Sequence, residues 1–520
     1  MQICRAACVL FLSATVAAQA QDQGPMSAVD WLSDSVAVPA PFASSSQSPQ
    51  PLINPDEPPV ANSVVTPQIS VTPLDSPSPD PIGLLPSEVT GFPAGLWKGS
   101  EAETLATLVQ AQRVDSLPAM QALLRNLLLA EADAPLGAGP DGRLFLARVD
   151  KLLDMGALEP AQALLEAANP DTPALFRRWF DVSLLTGTEG RACTAMRARP
   201  DVAPTPAARV FCLARNGDWS AAALTLNTVR ALGDIADEED ALLSRFLDPD
   251  LYEGEAPFPA PSRPSPLVFR MREAIGEPMT VAGLPRAFAH ADLRSTTGWK
   301  SQLEAAERLA RNGAIAPTRL FGIYMARRPA ASGGVWDRVA AVQALDRALE
   351  TGNAEAVAAT LPAAWEAMQA VATEVAFAVH YQPRLSEVSL DADAADLATE
   401  IGLLSPAYEA VAMDATLRSQ SDIFLHGVAR GDLSDVRAVG PRQAAVFAAF
   451  TTATPPAELT AMVQNAKLGE ALLRVMAVFN EGAVSSPSDV RDALAFLRSV
   501  GLEDIARRLS LEYLLLSRQS

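Results

Sequence analysis

The sequence predicts an all-α protein, an irregular solenoid of helical hairpins preceded by a disordered tether rich in proline and serine. Leucine and alanine dominate a series of helical segments after residue 94, and alternating runs rich in valine and isoleucine are absent from that part. Fourteen prolines lie between Pro39 and Pro93, with many serines and few charges. Because such a stretch buries too little apolar surface to offset its ordering entropy, we expect a tether followed by a helical body.

Residues 1–20 have the features of a secretory signal peptide. Arg5 is the only charge, an apolar run follows at 6–17, and small residues at 18–20 form a cleavage site. The apolar run is too short to span a bilayer, and no later run is long enough. We therefore expect an exported protein in a bacterial periplasm, without stable insertion into the membrane.

The predicted tether, residues 21–93, contains a segment with more apolar residues than its surroundings, Ala28–Val38. Its Trp31 and Leu32 can form a short linear motif that docks on a partner or on the helical body of the same chain. The alternative is residual hydrophobicity within a linker.

The helical body begins with an N-terminal lobe, residues 94–233. Its clearest unit is the hairpin at 207–232, in which Gly217 makes the turn and Asp218 caps the second helix. Apolar residues of that second helix repeat at helical spacing and form a face that we expect to be buried: Trp219, Ala222, Ala223, Leu226 and Val229. Neither helix can bury such a face alone, so hairpins must stack.

Two further stretches predict helix starts. Ser100 and Glu103 have the spacing of a capping box, in which each side chain satisfies a free backbone donor. The acidic run Asp391–Asp396 lacks the glycine and the distal glutamate of a calcium loop, so we interpret it as the start of a helix.

A second change in composition divides the helical body. Residues 234–266 open with an acidic run and end in closely spaced prolines, which exclude helix. We interpret this stretch as an acidic, proline-rich linker. Residues 267–520 then form a C-terminal helical-repeat lobe.

Hairpin units similar to that at Gly217 recur around Gly156, Gly352, Gly431 and Gly501. A small or β-branched residue follows each glycine at the fifth position: Ala161, Ala222, Val357, Val436 and Ala506. This pattern resembles the middle of a tetratricopeptide repeat, although the 34-residue period of that family is not kept. The resemblance implies only the architecture of stacked helical hairpins. An ordinary irregular helical domain, whose hairpins also turn at glycine, is the alternative.

Removal of the signal peptide leaves two cysteines, Cys193 and Cys212. They lie in successive helical segments joined by the turn-forming sequence PDVAPTP, so antiparallel packing can bring the sulfurs together. In an oxidising compartment we expect a disulfide, and the alternative is two buried thiols.

The sequence predicts no catalytic residue, metal site or cofactor site. His290, His380 and His426 are far apart and have no metal-ligand partner at helical spacing, and the common catalytic and nucleotide-binding motifs are absent. We interpret the histidines as structural.

One loop has the composition of an anion site. Ser332, Gly333 and Gly334 precede a helix whose first amides can hold an anion, with arginines nearby. The alternative is a glycine-containing loop that starts a helix and directs Trp336 to the core.

The net charge of −20 disfavours binding to nucleic acid or to an anionic membrane surface. We therefore expect a non-enzymatic periplasmic scaffold or adaptor that binds other envelope proteins, within a motility, secretion or cell-wall machine. The alternatives are an enzyme that processes peptidoglycan and a chaperone-like holder of unfolded clients.

Overall fold

The computed structural model describes residues 78–329, 331–414, 419–434 and 436–516. The predicted signal peptide and the segment with Trp31 and Leu32 lie outside these residues. Within them the chain forms 25 α-helices, three short 3₁₀ helices and no β-strand, which confirms the all-α class.

The first six helices form one end of the body. Their bounds are α1 Ser87–Thr90, α2 Ala102–Gln110, α3 Pro118–Leu129, α4 Arg143–Asp154, α5 Leu158–Ala167 and α6 Pro173–Thr186. Helices α4 and α5 form a hairpin that turns at Gly156, where φ is +75°. The predicted capping box is wrong: Glu101 is the N-cap residue of α2 and makes no side-chain cap, and Glu103 contacts Arg143 instead.

Residues 78–93, assigned to the tether by composition, belong to the folded body. The buried carboxylate of Asp80 accepts a 2.8 Å hydrogen bond from the N–H of Phe145, in the first turn of α4. The fully buried guanidinium of Arg148 donates to the carbonyls of Asp80, Leu128 and Ala130 at 3.0, 2.7 and 2.9 Å. Burial lowers the pKa of Arg148 to about 10. Composition does not reveal this segment because its partners are distant side chains and backbone carbonyls.

The next five helices follow α6, and both the first and the last of them pack against it. They are α7 Glu189–Ala198, α8 Pro206–Arg215, α9 Trp219–Leu232, α10 Asp237–Leu247 and α11 Pro266–Ala274. The structure joins Cys193 of α7 to Cys212 of α8 in a disulfide, with Cα atoms 4.9 Å apart. Gly217 has φ +84°, and Asp218 caps α9 by accepting the N–H of Ala221 at 3.1 Å.

The face predicted for α9 is only partly buried. Ala222, Leu226 and Val229 are buried, whereas Ala223 is exposed and Trp219 keeps 51% of its surface exposed. The Trp219 ring lies beside Phe246 of α10, 6.3 Å between centroids, so one neighbour covers one side of it.

The stretch 234–266, predicted as a linker, contains helix α10 and packs into the body. Acidic residues at 237–240 form the first turn of α10, where the helix dipole favours negative charge. Leu242 and Leu243 are buried in the core. The buried Arg245 pairs with Glu277 at 2.7 Å, which ties the helix to the chain after α11. An acidic run that ends in apolar residues is therefore an amphipathic helix here.

Eight helices come next: the first seven contribute to a second core, and the last contributes Tyr408 and Ala412 to the first core. They are α12 Ala289–Asp292, α13 Trp299–Ala310, α14 Pro317–Met325, α15 Val335–Thr351, α16 Ala354–Gln369, α17 Glu374–Leu385, α18 Ala392–Leu403 and α19 Tyr408–Asp414. Helices α15 and α16 form the hairpin at Gly352.

The last six helices return to the first core. They are α20 Gln420–Arg430, α21 Gly440–Thr451, α22 Ala457–Gln464, α23 Leu468–Ser485, α24 Pro487–Ser499 and α25 Glu503–Leu515. The first hydrophobic cluster combines buried residues from 92–291 and 403–513, and the second combines residues from 289–404 with Leu516. The two clusters thus divide the chain differently from the predicted lobes 94–233 and 267–520.

The stack of hairpins closes on itself, because the last helices pack against the first. Helix α23 contacts α2, and α25 contacts α3. The N–H of Gly469 donates to the carbonyl of Leu96 at 3.0 Å, and Gln112 Nε2 donates to the carbonyl of Leu473 at 2.9 Å. A Cβ at Gly469 would lie 2.4 Å from the buried ring of Trp97, so this approach requires glycine.

Candidate functional site

Two grooves flank helix α18 on the surface of the second core. Groove A, of about 690 Å³, lies between α16 and the start of α18. Its lining residues are Ala354, Glu355, Ala358, Ala359, Pro362, Ser389, Leu390, Asp391, Asp393, Ala394 and Leu397. Small side chains on α16 keep the groove open, because larger residues there would fill the space beside α18.

Groove B, of about 510 Å³, lies on the other side of α18, against the end of α17 and against α19. Its lining residues are Gln382, Leu385, Ser386, Val388, Leu390, Ala395, Asp396, Ala398, Thr399, Ala410, Val411 and Asp414. Leu390 lines both grooves, so they meet at the segment that leads into α18. The side chain of Met413, 68% exposed, adds apolar surface on α19.

Helix starts on both sides of groove A fix the positions of its walls. The side chain of Asn353 accepts the N–H of Ala356 at 3.1 Å and caps α16. Asp391 accepts the N–H of Ala394 at 3.1 Å and caps α18. The acidic run at 391–396 is therefore the start of a helix, as predicted from its lack of a calcium-loop pattern.

A backbone carbonyl beside groove A lacks its regular helical donor. Helix α16 continues through Pro362, which has no N–H to donate to the carbonyl of Ala358, four residues earlier. Both residues line the groove. The Ala358 carbonyl therefore lacks the i+4 hydrogen bond of a regular helix, and a ligand donor can supply one in its place.

The charge of the two grooves has one sign. Carboxylates line both grooves, and no lysine, arginine or histidine is among their described lining residues; the carboxylates are Glu355, Asp391, Asp393, Asp396 and Asp414. Glu355 and Asp393 are exposed. Both grooves therefore combine apolar side chains with carboxylates, which suits an apolar ligand surface flanked by cations.

The predicted anion loop supplies its own carboxylate. The N–H of Gly333 donates to Asp337 Oδ1 at 2.9 Å, and Ser332 and Gly334 are exposed beside it. Arg338 pairs with the carboxylate of Glu307 at 2.8 Å. These contacts place negative charge where an external anion would bind, so the geometry does not favour the anion site.

Trp336, in the same region, packs as expected for a loop that starts a helix and directs this side chain to the core. It packs against the second core, with its ring 5.2 Å from that of Trp299. The loop that contains Gly333 and Gly334 thus starts helix α15 and directs an aromatic side chain inward.

The three histidines remain separate and each contacts its own part of the fold. His290 is buried, and its Nε2 lies 2.6 Å from the carbonyl oxygen of Gly156. His380 stacks on Phe321, 4.7 Å between ring centroids. His426 Nδ1 lies 3.2 Å from the carbonyl oxygen of Ala412.

No group of three or more histidine, cysteine or acidic side chains in the described part of the chain is arranged to hold a metal ion. No helix in this part of the chain has both the length and the apolar character needed to cross a membrane.

Comparisons of the chain with protein-family models, with curated proteins and with solved structures gave no significant match. The sequence signals for the grooves were the hairpin at Gly352 and the helix start at Asp391. The apposition of α16 and α18 across them depends on packing in the second core.

Proposed function

We propose that the protein is a non-enzymatic periplasmic scaffold or adaptor that binds another envelope protein through grooves A and B. The observation that carries the proposal is the pair of grooves on a helical-repeat body, both lined by apolar side chains together with carboxylates. Stacked helical hairpins commonly present extended binding surfaces of this kind. The tetratricopeptide-like turns at Gly156, Gly217 and Gly352 are in keeping with this mode of action.

The partner segment that fits these grooves is short, apolar on one face and flanked by lysine or arginine. Apolar residues would cover Leu390 and Leu397, and the cations would lie near Glu355 and Asp393. A lysine ammonium can also donate to the carbonyl of Ala358. The alanines on α16 allow the backbone of the partner to approach closely.

Three features support export and reach. The disulfide between Cys193 and Cys212 is compatible with an oxidising compartment, and residues 1–20 have the pattern of a signal peptide. A proline-rich tether before the body would extend the distance over which the adaptor can contact an envelope machine.

Site-specific crosslinking in intact cells identifies the partner. A photoreactive residue is placed at Ala359 in groove A or at Ala410 in groove B, and the control position is the exposed Ala223 on α9. We expect one dominant envelope protein to be captured from the groove positions and not from Ala223. Capture of many unrelated proteins would favour the chaperone-like holder.

Binding of a synthetic peptide from the captured partner then tests the chemistry of the grooves. The double variant Glu355→Lys/Asp393→Lys should raise the dissociation constant of the peptide about tenfold or more at low salt. Added salt should reduce the difference in affinity between the variant and the parent protein. The matched control, Asp248→Lys/Glu458→Lys, changes net charge equally at exposed positions outside the grooves. Equal peptide affinities for both double variants would contradict the proposal, as would a captured partner without a basic apolar segment.

A further inference from the structure

A pocket of about 500 Å³ lies where four parts of the fold meet, away from grooves A and B. The C-terminal end of α2 and the loop at 111–115 form one wall, and the end of α4 forms a second. The loop at 282–286 and helix α13 complete it. The pocket therefore borders helices of both hydrophobic clusters, since α2 and α4 belong to the first and α13 to the second.

The lining of this pocket is rich in cations. Arg113, Lys151, Arg286 and Arg308 line it together with two carboxylates, those of Asp115 and Asp154. The chain as a whole carries a net charge of −20. A local excess of positive charge in so acidic a protein attracts anions from solution.

The ammonium of Lys151 makes contacts within the fold. It is 3% exposed, and its Nζ donates to the carbonyls of Gln110 and Gln112 at 2.7 and 3.0 Å. It also pairs with Asp154 at 3.2 Å. The ammonium thus satisfies carbonyls at the end of α2 and one of the two carboxylates of the pocket.

The three arginines of the pocket have few carboxylate partners. Arg286 pairs with Asp115 at 2.6 Å. Arg308 donates to the carbonyls of Val281 and Leu284. No carboxylate among the described residues forms an ion pair with Arg308 or with the exposed Arg113.

Arg308 lies near two other arginines, Arg286 and Arg311. Burial lowers its pKa, and the neighbouring Arg286 and Arg311 lower it further, whereas Asp115 opposes them. A bound anion would offset this repulsion, because its charge lies near several guanidinium groups at once. The planar guanidinium also matches phosphate and carboxylate oxygens in pairs.

We propose that this pocket is a binding site for small polyvalent anions that carry phosphate or carboxylate groups, held by Arg113, Arg286 and Arg308. Its volume is within the usual range for a metabolite-sized ligand. The ligand would bridge the two hydrophobic clusters, so binding stabilises the closed arrangement of the chain. This inference is independent of the proposed docking function, because it uses other helices and the opposite charge.

Calorimetry and thermal unfolding of the purified mature protein test the site with inorganic phosphate and citrate as probes and chloride as the control. We expect saturable binding of phosphate or citrate and a rise in Tm of a few degrees at saturation, because the ligand binds the folded state. Chloride at the same ionic strength should give neither effect. An absence of saturable binding of both probes at millimolar concentrations would overturn the proposal.

Two variants locate the binding. Arg113→Gln removes an exposed guanidinium and should leave folding intact while weakening binding about tenfold. Arg308→Gln should weaken binding at least as much, and because it also loses two carbonyl contacts, its folded fraction is checked by circular dichroism. The control Arg209→Gln removes an exposed arginine of α8, outside the pocket. Unchanged affinity in Arg113→Gln and Arg308→Gln would assign the binding elsewhere and refute the site.

Discussion

Both carboxylate oxygens of Glu512 accept the backbone N–H of Ala119, at 3.1 and 2.8 Å, across 393 positions of sequence. Glu512 lies in the last helix, α25, and is 2% exposed. Ala119 is in the first turn of α3, whose N-cap residue Leu117 has no side-chain acceptor to offer. A side chain from the end of the chain thus caps a helix near its beginning.

Glu512→Ala should lower the free energy of unfolding by about 2 to 3 kcal/mol, because a buried first-turn N–H loses its acceptor. Glu512→Gln keeps a carbonyl oxygen in reach and should lower it by less. Glu366→Ala, at an exposed position of α16, is the control and should change stability by a few tenths of a kcal/mol. Urea denaturation measures all three, and equal stability of Glu512→Ala and the control would refute the cap.

Gly469→Ala should destabilise the protein by about 1 to 3 kcal/mol, because the new methyl overlaps the ring of Trp97 in a closely packed contact. Gly190→Ala in α7 meets no atom within 4 Å. It should raise stability by up to about 1 kcal/mol through helix propensity. Thermal unfolding of the two variants should therefore give shifts in Tm of opposite sign, and a neutral Gly469→Ala would contradict the close approach of α23 to Trp97.

Loss of the disulfide should lower the unfolding free energy by about 3 kcal/mol, since the bond closes a loop with a sequence separation of 19 residues. The double variant Cys193→Ala/Cys212→Ala measures this loss in guanidinium. Thiol labelling of the denatured, unreduced chain without residues 1–20 is the independent test. Labelling of both cysteines before reduction would show that the bond does not form.

The stability of the protein should fall in mild acid through His290. Burial lowers the pKa of this histidine to about 4, against the opposing effect of its hydrogen bond to Gly156. In the unfolded chain the pKa returns to about 6.5. Between these values only the unfolded chain binds the proton, so the contribution is fully present above pH 6.5 and is lost as pH falls to 4. It amounts to about 3 kcal/mol.

His290→Gln measures this contribution, because glutamine can still donate to the Gly156 carbonyl but does not titrate in this range. Unfolding free energies at pH 7, 5.5 and 4 should decline less steeply in the variant than in the parent protein. Parallel pH profiles for the two proteins would show that His290 does not control the slope.

Local signals account for much of the helical structure. Helices α6, α8 and α11 each begin with a threonine or serine N-cap followed by proline, and the hydroxyls of Thr172, Thr205 and Ser265 accept first-turn N–H groups. The Gly217 turn and the Asp218 cap form as predicted. Such features are readable because each depends on residues within one turn of one another.

Two helix breaks have no such signal. The sequence predicts continuous helices at 363–379 and 457–479, but the structure ends one helix before Ala372 and another before Ala466. Both alanines adopt positive φ, +53° and +59°. Alanine is the strongest helix former, so a left-handed alanine can be imposed only by packing around it.

The grooves and the arginine pocket could not be predicted from local sequence patterns, for a related reason. Groove A needs α16 and α18 side by side, and the pocket joins Arg113 to Arg308 across nearly two hundred residues. The sequence shows that these residues are small, acidic or basic, but their proximity is a property of the two cores.

The contact between α3 and α25 also imposes an order in time. During synthesis Ala119 is made long before Glu512, so helix α3 lacks its capping side chain until almost the whole described chain has been made. Pairings between distant residues are slow to form, because the intervening chain must first be brought together. Slow folding of this kind would keep the chain unfolded for longer, which would favour an export route that accepts only unfolded chains. A chain truncated within α25 would lack the contacts that the last helix makes with the earliest ones.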